Sequence, residues 1–165
     1  MIQEGITGIF HCAFSDCNRM SSLHIPKSVT QIYHDSFTDC FNLSRITVDN
    51  RNPKFDSRNN CNAIIETASN KLCFGCNSTV IPGDIESIGI GAFRSKTGLT
   101  GVTVPEGVKT IEYDTFKGCN GLKEVNLPQS LEMIGESAFS DCINLSKIKI
   151  PNNVKTIREY AFLNC

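Results

Sequence analysis

The sequence predicts an α/β solenoid, a right-handed coil whose turns of about 23 residues stack on one another. Two observations predict it. Pro82, Pro105, Pro128 and Pro151 fall at intervals of 23 residues, and Pro26 opens an earlier copy. Each copy then runs in one order: an apolar residue, Ile three further on, Phe, Cys three later, Leu three later, and a closing apolar-x-apolar pair. A single coil of this size cannot bury its apolar side, whereas stacked coils can.

The elements follow in order. The first copy, 1–25, carries Ile6, Ile9, Phe14, Cys17, Met20, Leu23 and Ile25. The second, 26–48, carries Pro26, Val29, Ile32, Phe37, Cys40, Leu43, Ile46 and Val48. Residues 49–81 are irregular, and regular copies resume at 82–104, 105–127 and 128–150, with a partial one at 151–165. Within a copy the Leu-x-x-Ile-x-Ile end alternates apolar and variable, the mark of a short strand with one face buried. The proline that follows has no N–H to donate, so it ends the strand and turns the chain. The apolar pair after it reads as a second extended piece. The Phe-x-x-Cys-x-x-Leu block has the spacing of three expected of a short helix or 3₁₀ turn. Strands of successive coils should pair in parallel, in sequence order. Six Phe positions form a column down the core, each buried ring contributing roughly 1.5–3 kcal/mol.

Cys17, Cys40, Cys119, Cys142 and Cys165 share one repeat position, and Lys96 holds the sixth. Identical small residues in a column read as stacked, reduced thiols, because parallel Cβ directions do not suit the disulfide torsion. One ligand per coil does not close a metal tetrahedron. A buried charge is costly, so Lys96, in a copy that also holds Gly89, Gly91, Gly98 and Gly101, is expected to point to solvent. In the irregular segment, Cys61 to Glu66 and Lys71 to Cys76 read as two strands around Thr67-Ala68-Ser69-Asn70. They are expected to form a β-hairpin in place of one coil's helical part, with Thr79-Val80-Ile81 resuming the strand ladder.

The phrase written from Leu127-Pro128 through Ile150-Pro151, and again from Val104-Pro105 through Leu127-Pro128, resembles the BspA-like (Treponema-pallidum-type) leucine-rich repeat family. Asn52-Pro53, Phe55-Asp56-Ser57, Asn62 to Thr67 and Gly75-Cys76 are similar to an irregular repeat of gut-bacterial members. The resemblance covers essentially the whole chain. It implies a single leucine-rich-repeat domain over 1–165, with short parallel strands, short helical turns and one inserted β-hairpin. It also implies a secreted or cell-surface location, a role in adhesion or other protein binding, and no catalytic residues.

Composition narrows the function classes. Apolar residues make up 40% of 165 and charged residues 20%, with a net charge of −1, which suits a packed protein. No basic field is present to hold nucleic acid, and no polybasic stretch to hold an anionic membrane. Apolar runs of only a few residues do not insert in a bilayer. The N-terminus lacks the pattern of a signal peptide and reads as mid-repeat, so the chain is expected to be a piece of a longer protein. The C-terminal coil stops at Cys165, and self-association or fraying is expected there.

The outward residues of the main strand form a stripe of His24, Thr47, Val80, Thr103, Asn126 and Lys149. It reads either as a solvated sheet face or as part of a contact with a protein or glycan ligand, and it carries no aromatic anchor. Cys61 lies roughly opposite Cys76 in the expected hairpin. Packed thiols, a Cys61–Cys76 disulfide, and metal or redox chemistry at Cys73-Phe74-Gly75-Cys76 are its three readings. His11, His24 and His34 are scattered, and His11 and Cys12, as neighbours in an extended stretch, should point apart. No phosphate loop, cofactor motif or paired carboxylate appears. Asn42, Asn77 and Asn144 head Asn-x-Ser/Thr tripeptides, which matter only in a secreting eukaryote and otherwise mark turns. The leading expectation is a non-enzymatic binding or adhesion module. The alternatives are a structural spacer presenting other domains, and an enzyme or metal site in 49–81.

Overall fold

A computed structural model describes residues 2–165. Each regular coil turns two short extended pieces onto two sides of a solenoid. On the main side lie β2 (Ser22–Ile25), β4 (Arg45–Val48), β9 (Gly101–Thr103) and β11 (Glu124–Asn126). On the second side lie β1 (Gly8–Ile9), β3 (Gln31–Ile32), β8 (Ser87–Ile88), β10 (Thr110–Ile111), β12 (Met133–Ile134) and β13 (Thr156–Ile157). The irregular segment supplies β5 (Phe55–Asp56), a 3₁₀ turn over Arg58–Asn60, β6 (Ala63–Glu66) and β7 (Lys71–Gly75). The alternation of β2, with Leu23 and Ile25 buried and Ser22 and His24 exposed, is the physical origin of the main strand.

Strands of successive coils pair in parallel with no shift of register: Leu23 with Ile46, Val102 with Val125, Ile111 with Ile134. On the second side a seven-stranded sheet runs β13-β12-β10-β8-β7-β6-β5. There β6 pairs antiparallel with β7, and β7 pairs in parallel with β8. One arm of the antiparallel pair thus takes the place of the second-side strand that the irregular coil would otherwise supply.

Of the short helix or 3₁₀ turn expected at the Phe–Cys–Leu corner, the structure shows turns and no helix among the described residues there. The corner is a series of four-residue turns, such as Cys119 N to Phe116 O at 3.1 Å and Leu122 N to Cys119 O at 2.9 Å. Intervening amides reach the next coil instead: Phe116 N to Ala138 O and Gly118 N to Ser140 O, both 2.8 Å. Residues in the left-handed region flank Phe on both sides at five of the six corners, and at Phe37 only Asp39 follows it. Examples are Asp114 and Gly118 around Phe116, and Ser137 and Asp141 around Phe139. A left-handed residue every few positions ends a helix, and Asp, Asn and Gly tolerate that conformation best.

The Phe rings stack in a column. Phe93, Phe116, Phe139 and Phe162 lie 5.1–5.4 Å apart, centroid to centroid, with rings within 13° of parallel. Phe14 and Phe37 stack at 5.4 Å. The irregular coil has no corner Phe, and Phe74 of β7 fills the place, meeting Phe37 edge-on at 5.2 Å. Its neighbour Gly75 carries no side chain because a Cβ there would sit 2.1 Å from the Phe93 ring.

Candidate functional site

The structure sets the stripe outward. His24, Val80, Thr103, Asn126 and Lys149 are exposed and Thr47 is half-buried. Register alignment brings His24 beside Thr47, with Nδ1 2.9 Å from Oγ1, and the Asn126 amide donates to Thr103 Oγ1 at 3.3 Å. The ladder beneath the stripe is not continuous. The expected resumption at Thr79-Val80-Ile81 does not occur: the Val80 N–H donates to Cys61 O at 3.1 Å, and no strand pairing joins this segment to β9. An open groove of about 560 Å³ lies over the break, lined by Thr79–Ile81 on one side and by β9 with Glu124 and Asn126 on the other. Val80 stands 74% exposed at its margin. A second cleft, about 500 Å³, separates β11 from Ser146–Lys149, where no strand pairs either.

The thiols hold a role that reading them as small apolar residues missed. Cys40, Cys119, Cys142 and Cys165 each point Sγ at the Phe carbonyl of the preceding coil, Phe14, Phe93, Phe116 and Phe139, at 3.0–3.2 Å. That carbonyl already accepts the backbone N–H three residues on, and the weak S–H donor meets its second lone pair. All nine cysteines are free. Cys61 lies near Ser57 Oγ, at 3.8 Å, and Cys76 Sγ donates to Asn62 O at 3.3 Å, so these two thiols face different partners and are not joined. Cys73 Sγ turns back to Lys71 O. Burial pushes Cys73 up to about 11 and Cys119 up to about 12. A thiol raised in the folded state keeps its proton while the unfolded chain ionises near 9.0. The stability it contributes is whole below that pH and is lost as pH rises through the folded value. Urea unfolding from about pH 8 to about pH 11 is therefore expected to show stability falling with pH, and a flat profile would contradict the buried thiols.

Lys96 does not point to solvent. It is 3% exposed, its Nζ donates to Arg94 O at 3.1 Å, and desolvation lowers its pKa. Cys40, Cys76 and Cys119 are the thiols around the ammonium. The reason is the missing corner of the irregular coil. Ser95 Oγ donates directly to Asp39 Oδ1 at 2.6 Å, so the corners of the second and fourth coils meet, and the long Lys96 stem fills the space between. Among the described residues no group of three or more His, Cys, Asp and Glu side chains is arranged to hold a metal ion.

Comparison with known families adds the deciding observation. The pattern described as a BspA-type leucine-rich repeat region matches residues 1–63 and 62–165, in six copies. The chain belongs to this family. Among solved structures it is similar to a leucine-rich cell-surface protein of Faecalibacterium prausnitzii, at 26% identity and a TM-score of 0.81, over 98% of this chain and 50% of that one. It is also similar to a leucine-rich repeat protein of Bacteroides ovatus, at 29% identity and a TM-score of 0.64, over 96% of this chain and 38% of that one. The pneumococcal vaccine antigen PcpA shares the fold, at 18% identity and a TM-score of 0.68, over 86% of this chain and 43% of that one. The chain spans half or less of the length of each. No curated protein matches it. Among the described residues no helix is long and apolar enough to cross a membrane.

The first two BspA-type repeats carry a surface that the sequence reading passed over. Phe10 is 54% exposed and faces Tyr33, 38% exposed, at a ring distance of 5.2 Å. His11 packs on Tyr33 at 4.3 Å, and its Nδ1 lies 2.9 Å from Asp35 Oδ1. Burial raises the Asp35 carboxyl, but the His11 hydrogen bond and the charges of His11 and His34 outweigh it and leave the pKa below its ordinary value. His11 and Cys12 do not point apart: Cys12 has φ 54°, and its Sγ lies 3.8 Å from Asp35 Oδ2. The Phe10 position differs from copy to copy of this chain: Tyr33, Gly89, Glu112, Gly135 and Arg158. The available signal was that Phe10 and Tyr33, like His11 and His34, are 23 residues apart.

The turn reading of the Asn-x-Ser/Thr tripeptides agrees with what their amides do in the repeat. Asn42 and Asn144 donate to the carbonyls of Asn18 and Asn120 in the preceding coil, and Asn77 donates to Phe41 O.

Proposed function

We propose that this chain is a non-enzymatic binding module of a secreted or cell-surface protein, contacting a protein or glycan ligand through the stripe of His24, Thr47, Val80, Thr103, Asn126 and Lys149. One observation carries the reading. An aliphatic side chain, Val80, is held 74% exposed at the centre of an otherwise polar stripe, beside an open groove. An exposed apolar side chain at the rim of a concavity gains by being covered. The surface location is supported by similarity to the Faecalibacterium protein, described as a cell-surface protein.

A structural spacer is the second reading. It is favoured by the way His24 and Thr47, and Asn126 and Thr103, satisfy one another across the ladder, which leaves less unmet polarity for a ligand. Peptide and glycan arrays probed with the labelled chain separate the two. The binding reading expects saturable signal that Val80→Lys abolishes while the unfolding temperature stays unchanged. No saturable signal on either array leaves the spacer.

A further inference from the structure

We infer that the broken rung of the main sheet is a receptor for an extended peptide strand of a protein partner, which pairs with the free edge of β9. This rests on the binding-module reading and names its ligand class.

The backbone carries the argument. In a parallel ladder each residue turns its N–H and C=O to one side, and the next residue turns both to the other. Thr100 O accepts from Lys123, and Val104 N donates to Asn126 O. Thr100, Val102 and Val104 therefore face β11, and Gly101 and Thr103 present their N–H and C=O to the groove. In a continuous sheet the segment 79–81 would take those bonds. Instead Thr79 N, which by the same alternation would reach Gly101 O, is committed to Cys76 O, while Val80 N turns away from β9, to Cys61 O. Among the described residues no backbone hydrogen bond crosses from 78–82 to 100–104.

A free strand edge with two donors and two acceptors in alternation selects an extended backbone over a helix or a sugar. The edge is also bare. Gly101 offers no side chain to block approach, and a Cβ there would meet only Glu124 O, at 3.8 Å. Two features set the side chains of the guest. Val80 stands exposed on the opposite wall and would pack against an aliphatic residue. Glu124 is the one charged residue lining the groove, so a basic residue is favoured at that end. The cleft beyond β11 has a similar break, but Lys123, Lys147 and Lys149 line it and no exposed aliphatic residue stands at it.

The test is selection of a displayed, randomised octapeptide library on the native chain. Enriched peptides are expected to alternate aliphatic with polar residues and to carry a Lys or Arg. Two further readouts separate strand pairing from simple adhesion. Binding should slow hydrogen exchange at the Gly101 and Thr103 amides. Methylating alternate peptide nitrogens, which leaves the side chains alone, should weaken binding by about tenfold or more. Thr103→Pro removes one groove-facing N–H without touching a β9–β11 bond, a change an edge strand tolerates. It should cost a similar factor with the unfolding temperature retained, and Glu124→Lys should reverse the charge preference. The strand proposal is overturned by peptides indifferent to backbone methylation, by unprotected Gly101 and Thr103 amides, or by a chain that enriches no peptide. If array ligands still bind in any of these cases, the binding-module reading survives alone. If nothing binds in either experiment, both fall.

Discussion

Phe116→Ala is expected to destabilise the fold by about 3–5 kcal/mol, the range for removing a fully buried Phe. Phe116 is completely buried between Phe93 and Phe139, at 5.1 and 5.2 Å. The neighbouring coils cannot close over the void, because backbone pairing holds strands about 4.8 Å apart on both sides of the solenoid. The cavity therefore stays open, and the upper end of the range applies. The substitution keeps the Phe116 carbonyl that Cys142 reaches, so the loss reports the ring and not the hydrogen bond. Phe162→Ala is the control. That ring is half-buried and stacks on Phe139 alone, so its loss should cost much less. Urea unfolding of both variants checks the pair, and equal costs would mean that the column does not act as a continuous stack.

Lys96→Met is expected to raise stability, by about 1–3 kcal/mol, because a buried charge without an anionic partner is replaced by a side chain of similar length. Lys96 makes one hydrogen bond, to the Arg94 carbonyl, and sits among thiols, with the Asp39 carboxylate nearby but not in ion-pair contact. The pH dependence identifies the cause. The folded pKa of Lys96 lies below its unfolded value of 10.5. Stability associated with it is present above the unfolded value and is lost as pH falls through the folded one. The advantage of Met is therefore full below the folded pKa, and it shrinks as pH climbs towards 10.5. Lys96→Cys, which restores the column, should gain less, since the shorter side chain leaves empty the space that the Lys stem fills. A pH-independent difference between Met and Lys would show that packing and not charge is responsible.

The period of the repeat made most of the architecture legible. A fixed order of Phe, Cys and Leu every 23 residues forces stacking, since no coil can bury those side chains alone. What lay beyond the sequence depends on the coil that departs from the period. Phe74 joins the Phe column from a strand, at no repeat position, so no alignment of copies points to it. Lys96 looked solvent-bound because a charge at a core position is costly, and the space it fills exists only because another coil lacks its corner. Val80 kept its outward direction, but its segment left the ladder: its N–H goes to Cys61 O and the Thr79 N–H to Cys76 O. Apolar spacing alone left a short helix and a 3₁₀ turn open at the corners, and the structure shows isolated turns there. Their turn character was written in Asp16, Asp39, Gly118, Asp141 and Asn164, residues suited to positive φ that recur two places after Phe.

The irregular coil also divides the interior. Ile64 and Phe74 pack with the residues of the first two coils, while Ala63, Ile65 and Leu72 pack with those of the later ones. The antiparallel pair is thus a wall apolar on both faces, with a separate core cluster on each. In a linear array, cooperativity passes only between neighbours. Melting that begins at either end should therefore spread through its own block and halt at this wall, so that denaturation proceeds in two stages instead of one.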